Sequence, residues 1–384
     1  MSLTAFVLGS GFAGQGHAMA LRDCGVEIVG MASRTEEVVS AVASELDIAY
    51  STTDWRTGLT ETQPDIVAVG TPGGAHFDPV MMAIARGCHV FCDKPLAPTA
   101  YEAKELHFAA KLAGVKTAYA ASFCFMPAVL QAKEMVANGD IGEPQEVEAI
   151  SHFGLNPLIP FGWSHTLEQG GGRLNNNFPH KLAVVLNVLG GEVSAVSGTT
   201  RADLKRAPVV EGVHHFRERH GFAPESADEP GLEWKDGDSD WAYTVLAQIA
   251  LPGVTEPASA LFKHSGLQPR VHPDYMAFFG SEGVIHIEGH YGHGPLHYRS
   301  ATGPIEAREW VEVPTPAHIH DAQPAIDDHT QRNWNLLAME FVADLRGEDC
   351  GWYPTFRDGW LYQEIIDVIR ADKGWTDVTE LTKA

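Results

Sequence analysis

The stretch that decides the fold lies near the amino terminus: Gly9-Ser10-Gly11-Phe12-Ala13-Gly14. It directly follows a short apolar run and opens an amphipathic one, which is the setting in which a G-x-G-x-x-G spacing predicts a dinucleotide-binding turn. Gly9 permits the tight turn, Gly11 lets the backbone approach a pyrophosphate, and Gly14 allows close packing of helix on strand. Phe12 and Ala13 then begin a helix whose N-terminus faces the phosphates.

Around this turn, short apolar runs alternate with longer amphipathic ones over the first 120 residues. The predicted strands are 4–8, 26–32, 65–69, 88–91 and 116–120. The predicted helices are 13–23, 36–45, 77–86 and 100–113. Strand-helix alternation with short crossovers is typical of a doubly wound parallel sheet. We therefore predict an α/β protein in which residues 1–123 form a Rossmann domain that binds NAD(P).

The pattern changes in the second part of the chain, where strand-like runs follow one another with few helices of crossover length between them. Such a series predicts a large, mostly antiparallel open sheet, whose second face is open or used for association. Residues 124–384 are expected to form an α/β domain for substrate binding and oligomerisation. Within it, the polar stretch 202–239 lacks periodicity and is interpreted as an insertion or long loop.

Composition and charge exclude several classes of partner. The 384 residues carry a formal net charge of -23, which disfavours electrostatic capture of nucleic acid or anionic membrane. Five scattered cysteines fit neither a disulfide framework nor a zinc site, and no apolar run reaches about 18 residues. The nineteen histidines are not completed by a carboxylate or cysteine pattern, so we expect no metal. The prediction is a cytoplasmic protein with a small-molecule substrate.

The end of the second predicted strand bears on the choice of cofactor. An NAD-binding domain is expected to have a ribose-binding acid about 20 residues after the glycine turn. Here Ser33 and Arg34 occupy that place, and the first carboxylate is that of Glu36. A hydroxyl and a guanidinium group can bind a 2'-phosphate, so the sequence favours NADP over NAD.

Further motifs follow in order: Gly70-Thr71-Pro72-Gly73-Gly74-Ala75-His76, then Asp93-Lys94-Pro95, then Gly139-Asp140-Ile141-Gly142, then Gly170-Gly171-Gly172 with His180 downstream. Together they resemble the glucose-fructose oxidoreductase / inositol dehydrogenase / rhizopine-catabolism (Gfo/Idh/MocA) family of NAD(P)-dependent oxidoreductases over nearly the whole chain. The resemblance implies an active site between the two domains. It also implies a homodimer or homotetramer, often formed through the large sheet.

The same resemblance implies roles for the residues after the strands. Thr71, Pro72 and His76 would border the cofactor, and Asp93 would lie near the nicotinamide ribose. Lys94 would bridge the cofactor and a substrate hydroxyl, with a cis peptide bond after it. The implied function is hydride transfer between nicotinamide and a secondary hydroxyl or ketone of a sugar, cyclitol or related polyol.

The chemistry of that transfer requires a base, because the hydroxyl proton must leave as the carbonyl forms. His180 matches the acid/base histidine of the family, and Lys94 would stabilise negative charge on the same oxygen. Many members carry an aspartate four residues before this histidine, where this chain has Asn176. We expect the Asn176 amide to orient the imidazole or a sugar hydroxyl, although it cannot stabilise imidazolium as a carboxylate does.

Two alternatives remain open on the sequence alone. A non-catalytic, dinucleotide-binding regulator of the same fold is favoured by two departures from the family, Asn176 and Cys124, where aspartate and arginine are usual. A glycosidase that uses tightly held NAD for transient oxidation is the second alternative. The retained Lys94 and His180 favour the dehydrogenase. The net acidity of the chain weakly favours neutral polyols over phosphorylated ones.

Overall fold

The computed structural model describes residues 3–213 and 218–382. Six parallel strands form the first sheet: β1 (Thr4–Leu8), β2 (Glu27–Ala32), β3 (Ser51–Thr52), β4 (Ile66–Val69), β5 (His89–Cys92) and β6 (Thr117–Tyr119). Five helices connect them: α1 (Phe12–Asp23), α2 (Glu36–Glu45), α3 (Trp55–Thr62), α4 (Phe77–Ala85) and α5 (Ala100–Ala113). The strand order β3-β2-β1-β4-β5-β6 confirms the predicted Rossmann topology.

The strand order reverses between β1 and β4, which pair in parallel with Leu8 opposite Val69. Both strands are almost wholly buried, as expected for a parallel sheet covered by helices on both faces. The chain leaves each strand at the same edge of the sheet. This edge is the crevice in which doubly wound proteins bind their ligands, and it holds the glycine turn and the Thr71-Pro72 loop.

The second half of the chain contains eleven of the described strands and seven of the described helices. The strands are β7 (Pro144–His152), β8 (Glu192–Arg201), β9 (Arg206–Val209), β10 (Glu233–Asp236), β11 (Ala242–Ala250), β12 (Ala258–Ser265), β13 (Tyr275–Gly280), β14 (Gly283–Glu288), β15 (Leu296–Ser300), β16 (Val311–Glu312) and β17 (Thr376–Asp377). The helices are α6 (Pro127–Ala137), α7 (Arg173–Asn176), α8 (Phe178–Leu189), α9 (Ala317–Asp321), α10 (His329–Arg346), α11 (Phe356–Arg370) and α12 (Thr379–Thr382).

Nine of these strands form one sheet in the order β16-β15-β14-β13-β7-β12-β11-β8-β17. Among the described strand pairs of this nine-stranded sheet, only β7 and β12 run parallel. The prediction of a mostly antiparallel sheet is therefore confirmed. Residues of β11 alternate between buried and exposed positions, for example Val245 at 0% and Leu246 at 45% exposure. Helix α8 packs on the buried face, and the exposed side chains of β11 lie on the other face.

The stretch 202–239, predicted as an insertion or long loop, contains a small hairpin in its described part. Strands β9 and β10 pair with each other as a two-stranded antiparallel sheet. The Phe161 backbone N–H donates to the carbonyl of Pro208 at 2.7 Å, and Arg219 donates to the Ser164 hydroxyl at 2.7 Å. The insertion therefore lies over the segment that precedes the glycine run. Its strands have four residues each, too few to show a period in the sequence. Residues 214–217 lie outside the described residues.

The last long helices pack back on the first domain. Trp334 of α10 lies 5.0 Å, centroid to centroid, from the ring of Phe12, and a Cβ at Gly16 would lie 2.1 Å from its indole. Gln331 of α10 donates to the Gly16 carbonyl at 2.9 Å. A helix from the second half of the chain thus supports the helix that follows the glycine turn. No described helix is long and apolar enough to cross a membrane.

Candidate active site

The glycine turn has the close backbone contacts that its sequence predicts. Gly9 has a φ of 103°, and a Cβ at Gly14 would lie 1.8 Å from the Gly9 carbonyl oxygen. A Cβ at Gly70, after β4, would lie 2.3 Å from the Gly14 backbone nitrogen. Gly11 differs, because a Cβ there would meet no atom within 4 Å. The backbone of the turn is therefore tightly packed at Gly14 and Gly70, whereas the space beside Gly11, where helix α1 begins, is free of protein atoms. These residues fit a dinucleotide pyrophosphate.

The end of β2 carries polar groups beside this turn. The Ser10 hydroxyl donates to the Ser33 hydroxyl at 2.8 Å, which ties the turn to the strand end. Arg34 is exposed, and the first acid, Glu36, begins α2. The place expected for a ribose-binding carboxylate is thus held by hydroxyl and guanidinium groups.

His76 is fully buried and holds the loop after β4. Its Nε2 atom lies 2.7 Å from the carbonyl oxygen of Thr71, and its Nδ1 atom lies 3.4 Å from the Cys92 thiol. Its Nδ1 atom also lies 3.2 Å from the carbonyl oxygen of Leu96. Burial lowers the pKa of His76, so the ring is neutral and donates from one of its two nitrogens to one of these two carbonyl oxygens. The side chain of His76 positions the loop from within. Thr71 and Pro72 remain partly exposed, and the Thr71 hydroxyl oxygen is buried without a partner among the described residues.

Lys94 follows β5, with a cis peptide bond to Pro95 as predicted. Its Nζ atom donates to Oδ1 of Asn176 at 3.2 Å. The Asn176 amide in turn donates to the carbonyl oxygens of Gly172 at 2.7 Å and Gly170 at 3.3 Å. The glycine run therefore orients the asparagine, and the asparagine orients the lysine.

The charges around Lys94 oppose one another. Burial lowers the pKa of Lys94, Asp93 raises it, and Arg173 lowers it again. The Asp93 backbone N–H donates to the Val69 carbonyl at 2.9 Å, so Asp93 and Lys94 lie at the same edge of the sheet as the Thr71-Pro72 loop. The structure brings these predicted residues together at one crevice.

His180 lies in the first turn of α8 and is 6% exposed. Its ring packs against Phe123, with centroids 4.5 Å apart, and against Tyr291 at 5.1 Å. Its Nδ1 atom is buried without a hydrogen-bond partner among the described residues. Burial, then the charges of Lys94 and His290, lower the pKa of His180 well below its usual value. The imidazole is therefore neutral at neutral pH, as a base must be.

The expected orientation of His180 by Asn176 is not what the structure has. Asn176 is paired with Lys94, as described above, and the turn at Asn177 separates α7 from α8. Asn177 instead donates from its amide to the Tyr291 hydroxyl at 2.7 Å and accepts from the Tyr243 hydroxyl. The correction has a simple cause: residues four apart face each other only along a continuous helix.

Three side chains of the cleft were missed in the sequence. Phe123 and Tyr291 stack with centroids 4.4 Å apart beside His180. Arg173 begins α7, and its guanidinium lies over the rings of Trp241 and Phe153. Tyr291 stands in a glycine- and histidine-rich segment, and Arg173 directly follows the three glycines Gly170–Gly172. For Tyr291 and for Arg173, the surrounding sequence does not indicate which side chains lie next to them in the fold.

Comparison with known proteins agrees with this architecture. A sequence model described as an oxidoreductase family with an NAD-binding Rossmann fold matches residues 3–120. A second model, the GFO/IDH/MocA C-terminal domain, matches residues 129–246. The chain is 25% identical to levoglucosan dehydrogenase of Pseudarthrobacter phenanthrenivorans, with 99% of each chain covered. It is 31% identical to D-glucoside 3-dehydrogenase of Escherichia coli over 43% of this chain and 47% of that one.

Solved structures share the fold. The complex of levoglucosan dehydrogenase with NADH and L-sorbose superimposes with a TM-score of 0.82 at 21% identity, covering 99% of this chain and 100% of that one. An NAD binding oxidoreductase from Klebsiella pneumoniae has a TM-score of 0.78 at 23% identity, covering 98% and 99% of the two chains. The two matched domains occur in the order that the motifs predict, and the chain belongs to the Gfo/Idh/MocA family of oxidoreductases with an NAD-binding Rossmann fold.

Proposed function

We propose that the protein is an NAD(P)-dependent dehydrogenase or reductase that acts on a secondary hydroxyl, or its ketone, in a sugar, cyclitol or related polyol. The observation that carries the proposal is the hydrogen bond of 3.2 Å by which Lys94, at the sheet edge of the first domain, reaches Asn176 of the second, four residues before His180. Burial, and then the charge of Lys94, lower the pKa of His180. The full-length relative named above is a dehydrogenase of a sugar derivative.

His180, Lys94 and Asn176 have different roles in the proposed reaction. A bound nicotinamide would accept the hydride from the carbinol carbon, or return it to the carbonyl carbon. His180 takes the hydroxyl proton as the carbonyl forms, through Nε2, because Nδ1 is enclosed. Lys94 donates to the same oxygen and stabilises the negative charge that develops on it. Asn176 is a positioning residue that fixes the Lys94 ammonium group.

We further infer that NADP is the favoured dinucleotide. Ser33 and the exposed Arg34 could bind a 2'-phosphate, whereas no carboxylate ends β2. Asp93, Thr71 and Pro72 would lie along the nicotinamide half. Dissociation constants for the two oxidised dinucleotides test this: tighter binding of NADP supports the inference, and tighter binding of NAD contradicts it.

The protein is proposed to be cytoplasmic and to form a homodimer or homotetramer. The open face of the nine-stranded sheet, with Leu246 exposed on β11, is the surface proposed for assembly. We retain residues 1–123 and 124–384 as the two domains, with α10 packed across from the second onto the first. Sedimentation of the wild-type protein and of Leu246→Arg tests the interface: the variant should be smaller, and an unchanged mass would contradict the assignment.

The function itself is tested with purified protein, both dinucleotides and a panel of sugars, sugar acids and cyclitols, followed by the absorbance of reduced nicotinamide. Formation of reduced cofactor together with the ketone supports the dehydrogenase. Dinucleotide binding without turnover of any substrate would favour the non-catalytic regulator. Cleavage of a glycosidic bond without net reduction, with cofactor that does not exchange, would favour the glycosidase.

A further inference from the structure

Arg173 is a cation whose hydrogen-bonding capacity is not used up within the protein. Its guanidinium carbon lies 5.0 Å from the centroid of the Trp241 ring and 5.5 Å from that of Phe153. The side chain is partly exposed, and its Nη2 atom is buried without a hydrogen-bond partner among the described residues. Burial lowers the pKa of Arg173 to about 10, so the group remains charged at neutral pH. Two aromatic rings hold it in place and leave donors available.

The position of Arg173 places it at the active-site cleft. Arg173 and Asn176 are three residues apart in α7, so their side chains project from the same side of that turn. Asn176 contacts Lys94, and the charge of Arg173 lowers the pKa of Lys94. The guanidinium is thus near the group that would hold the reacting oxygen.

Nearby carboxylates already have other partners. Asp240 accepts from the Leu174 backbone N–H at 2.6 Å and from Arg370 at 2.9 Å. Asp274 pairs with Arg270 at 3.1 Å and accepts from the backbone of His152. Both carboxylates are almost fully buried.

The residue beside Lys94 is also neutral. Asn176 brings no charge to Lys94, while Asp93 is the carboxylate that acts on Lys94 and Asp240 the one that acts on Arg173. The Asp240 carboxylate is already shared with Arg370. Lys94 and Arg173 are thus two positive groups close together in the cleft, although the whole chain has a formal net charge of -23.

We propose that Arg173 binds a carboxylate of the substrate, and that the substrate is a sugar acid such as a uronate rather than a neutral sugar. This inference rests on the proposed function. The planar fork of a guanidinium matches a carboxylate with two parallel hydrogen bonds. A phosphate dianion would carry more charge into a chain that is already strongly acidic, which makes the carboxylate the better match. The inference replaces the weak preference for neutral polyols that net charge suggested.

The test compares glucose with glucuronate and galactose with galacturonate, which differ in a hydroxymethyl group and a carboxylate, with glucose 6-phosphate as a third arm. Wild-type kcat/KM should be at least about tenfold higher for the uronate, since hydrogen bonds between charged groups are worth that factor or more. A higher value for the neutral sugar or for the phosphate would overturn the proposal.

Variants identify the residue. Arg173→Gln should lower the ratio of kcat/KM for the uronate to kcat/KM for the neutral sugar by about 10- to 100-fold. Arg56→Gln is the matched control, because Arg56 also stacks on a tryptophan, at 4.1 Å, but on the exposed surface of the first domain. Equal losses on both sugars of a pair would overturn the proposal. If Arg173→Gln does not fold, the ratio of wild-type kcat/KM for the uronate to that for the neutral sugar still tests the proposal, because it requires no variant.

Calorimetric titration of the dinucleotide-loaded protein separates this inference from the proposed function. Binding of the uronate that depends on Arg173, without turnover, would support the carboxylate site and reject the dehydrogenase. Turnover of neutral sugars with no binding of uronates would support the dehydrogenase and reject the carboxylate site.

Discussion

Lys94 and Asn176, which are 82 residues apart in the chain, are joined by a hydrogen bond of 3.2 Å between Nζ and Oδ1. Lys94 comes from the end of β5 in the first domain, and Asn176 from α7 in the second. The bond therefore crosses the cleft between the two domains. Because Gly170 and Gly172 hold the other end of the amide, the lysine has a fixed direction before any ligand binds.

Removing this acceptor should slow the chemistry more than it weakens binding. Asn176→Ala is expected to lower kcat by about 10- to 100-fold, since a hydrogen bond to a charged group is lost and Lys94 becomes mobile. The dissociation constant of the dinucleotide should change little. Steady-state kinetics and cofactor titration measure the two effects.

A matched control exists elsewhere in the chain. Lys133 donates to Asn187 at 2.9 Å, so Asn187→Ala removes the same kind of pair near the other end of α8 from His180. Its kcat should remain at the wild-type value. If Asn176→Ala were as active as this control, the positioning role of Asn176 would be rejected.

The protonation of His180 provides a pH test. Because burial and the charge of Lys94 lower the pKa of His180, its ring should stay neutral as the pH falls through the usual histidine value of about 6.5. Lys94→Met removes a neighbouring positive charge and should therefore raise that pKa. NMR titration of the ring measures both values. A wild-type pKa at or above 6.5, or a downward shift in the variant, would contradict the described site.

Gly11 and Gly14 should respond differently to alanine. At Gly14 the new Cβ would lie 1.8 Å from the Gly9 carbonyl oxygen, so Gly14→Ala should lower the unfolding temperature and abolish dinucleotide binding. At Gly11 the Cβ would meet nothing, so Gly11→Ala should unfold at the wild-type temperature but bind the dinucleotide at least about tenfold more weakly, because its methyl group occupies the pyrophosphate side. Gly221→Ala, also without contacts, is the control. Wild-type affinity in Gly11→Ala would show that the phosphates lie elsewhere.

Lys181 gives a test of stability. It is fully buried, its Nζ atom donates to the carbonyl oxygens of Ala149 and Lys263 at 2.9 Å each, and burial lowers its pKa from 10.5 to about 7. Between these two values the unfolded chain binds more protons at this site than the folded chain, so this lysine makes stability rise with pH across that window. Below pH 7 the folded protein bears the full cost of a buried charge, on the order of a few kcal/mol.

Lys181→Met removes this dependence. The free energy of unfolding of the variant minus that of wild type should be most positive near pH 6 and should fall steadily towards pH 10. Denaturant unfolding at several pH values measures it. A difference that is flat, or that grows with pH, would mean that Lys181 has an ordinary pKa in the folded state.

The fold could be predicted closely where local pattern decides structure. The motif order and the strand-helix alternation located β1, β4 and β5 within a residue or two. Strand β3 was missed because Ser51–Thr52 is only two residues long. Helix α8 was missed because most of its residues are apolar and buried, and such a run does not by its periodicity alone distinguish a buried helix from a buried strand.

The site was less accessible from the sequence, because its contacts join distant segments. Spacing alone suggested that the Asn176 amide orients the His180 imidazole, since residues four apart are neighbours in a helix. The break at Asn177 removes that geometry and leaves the amide for Lys94. Arg173 showed no signal because neither of its aromatic partners is a sequence neighbour, and Trp241 lies 68 residues away, on the far side of the insertion.

We propose that Lys94 takes part in hydride transfer at a dinucleotide site formed by the glycine turn. The most direct measurement is the rate of cofactor reduction by Lys94→Met, with the best substrate of the panel, beside its dissociation constant for the dinucleotide. We predict that turnover falls by about a hundred- to a thousandfold, because the group that stabilises charge on the reacting oxygen is lost, while the dissociation constant stays within a fewfold of wild type. Turnover at the wild-type rate would contradict the account.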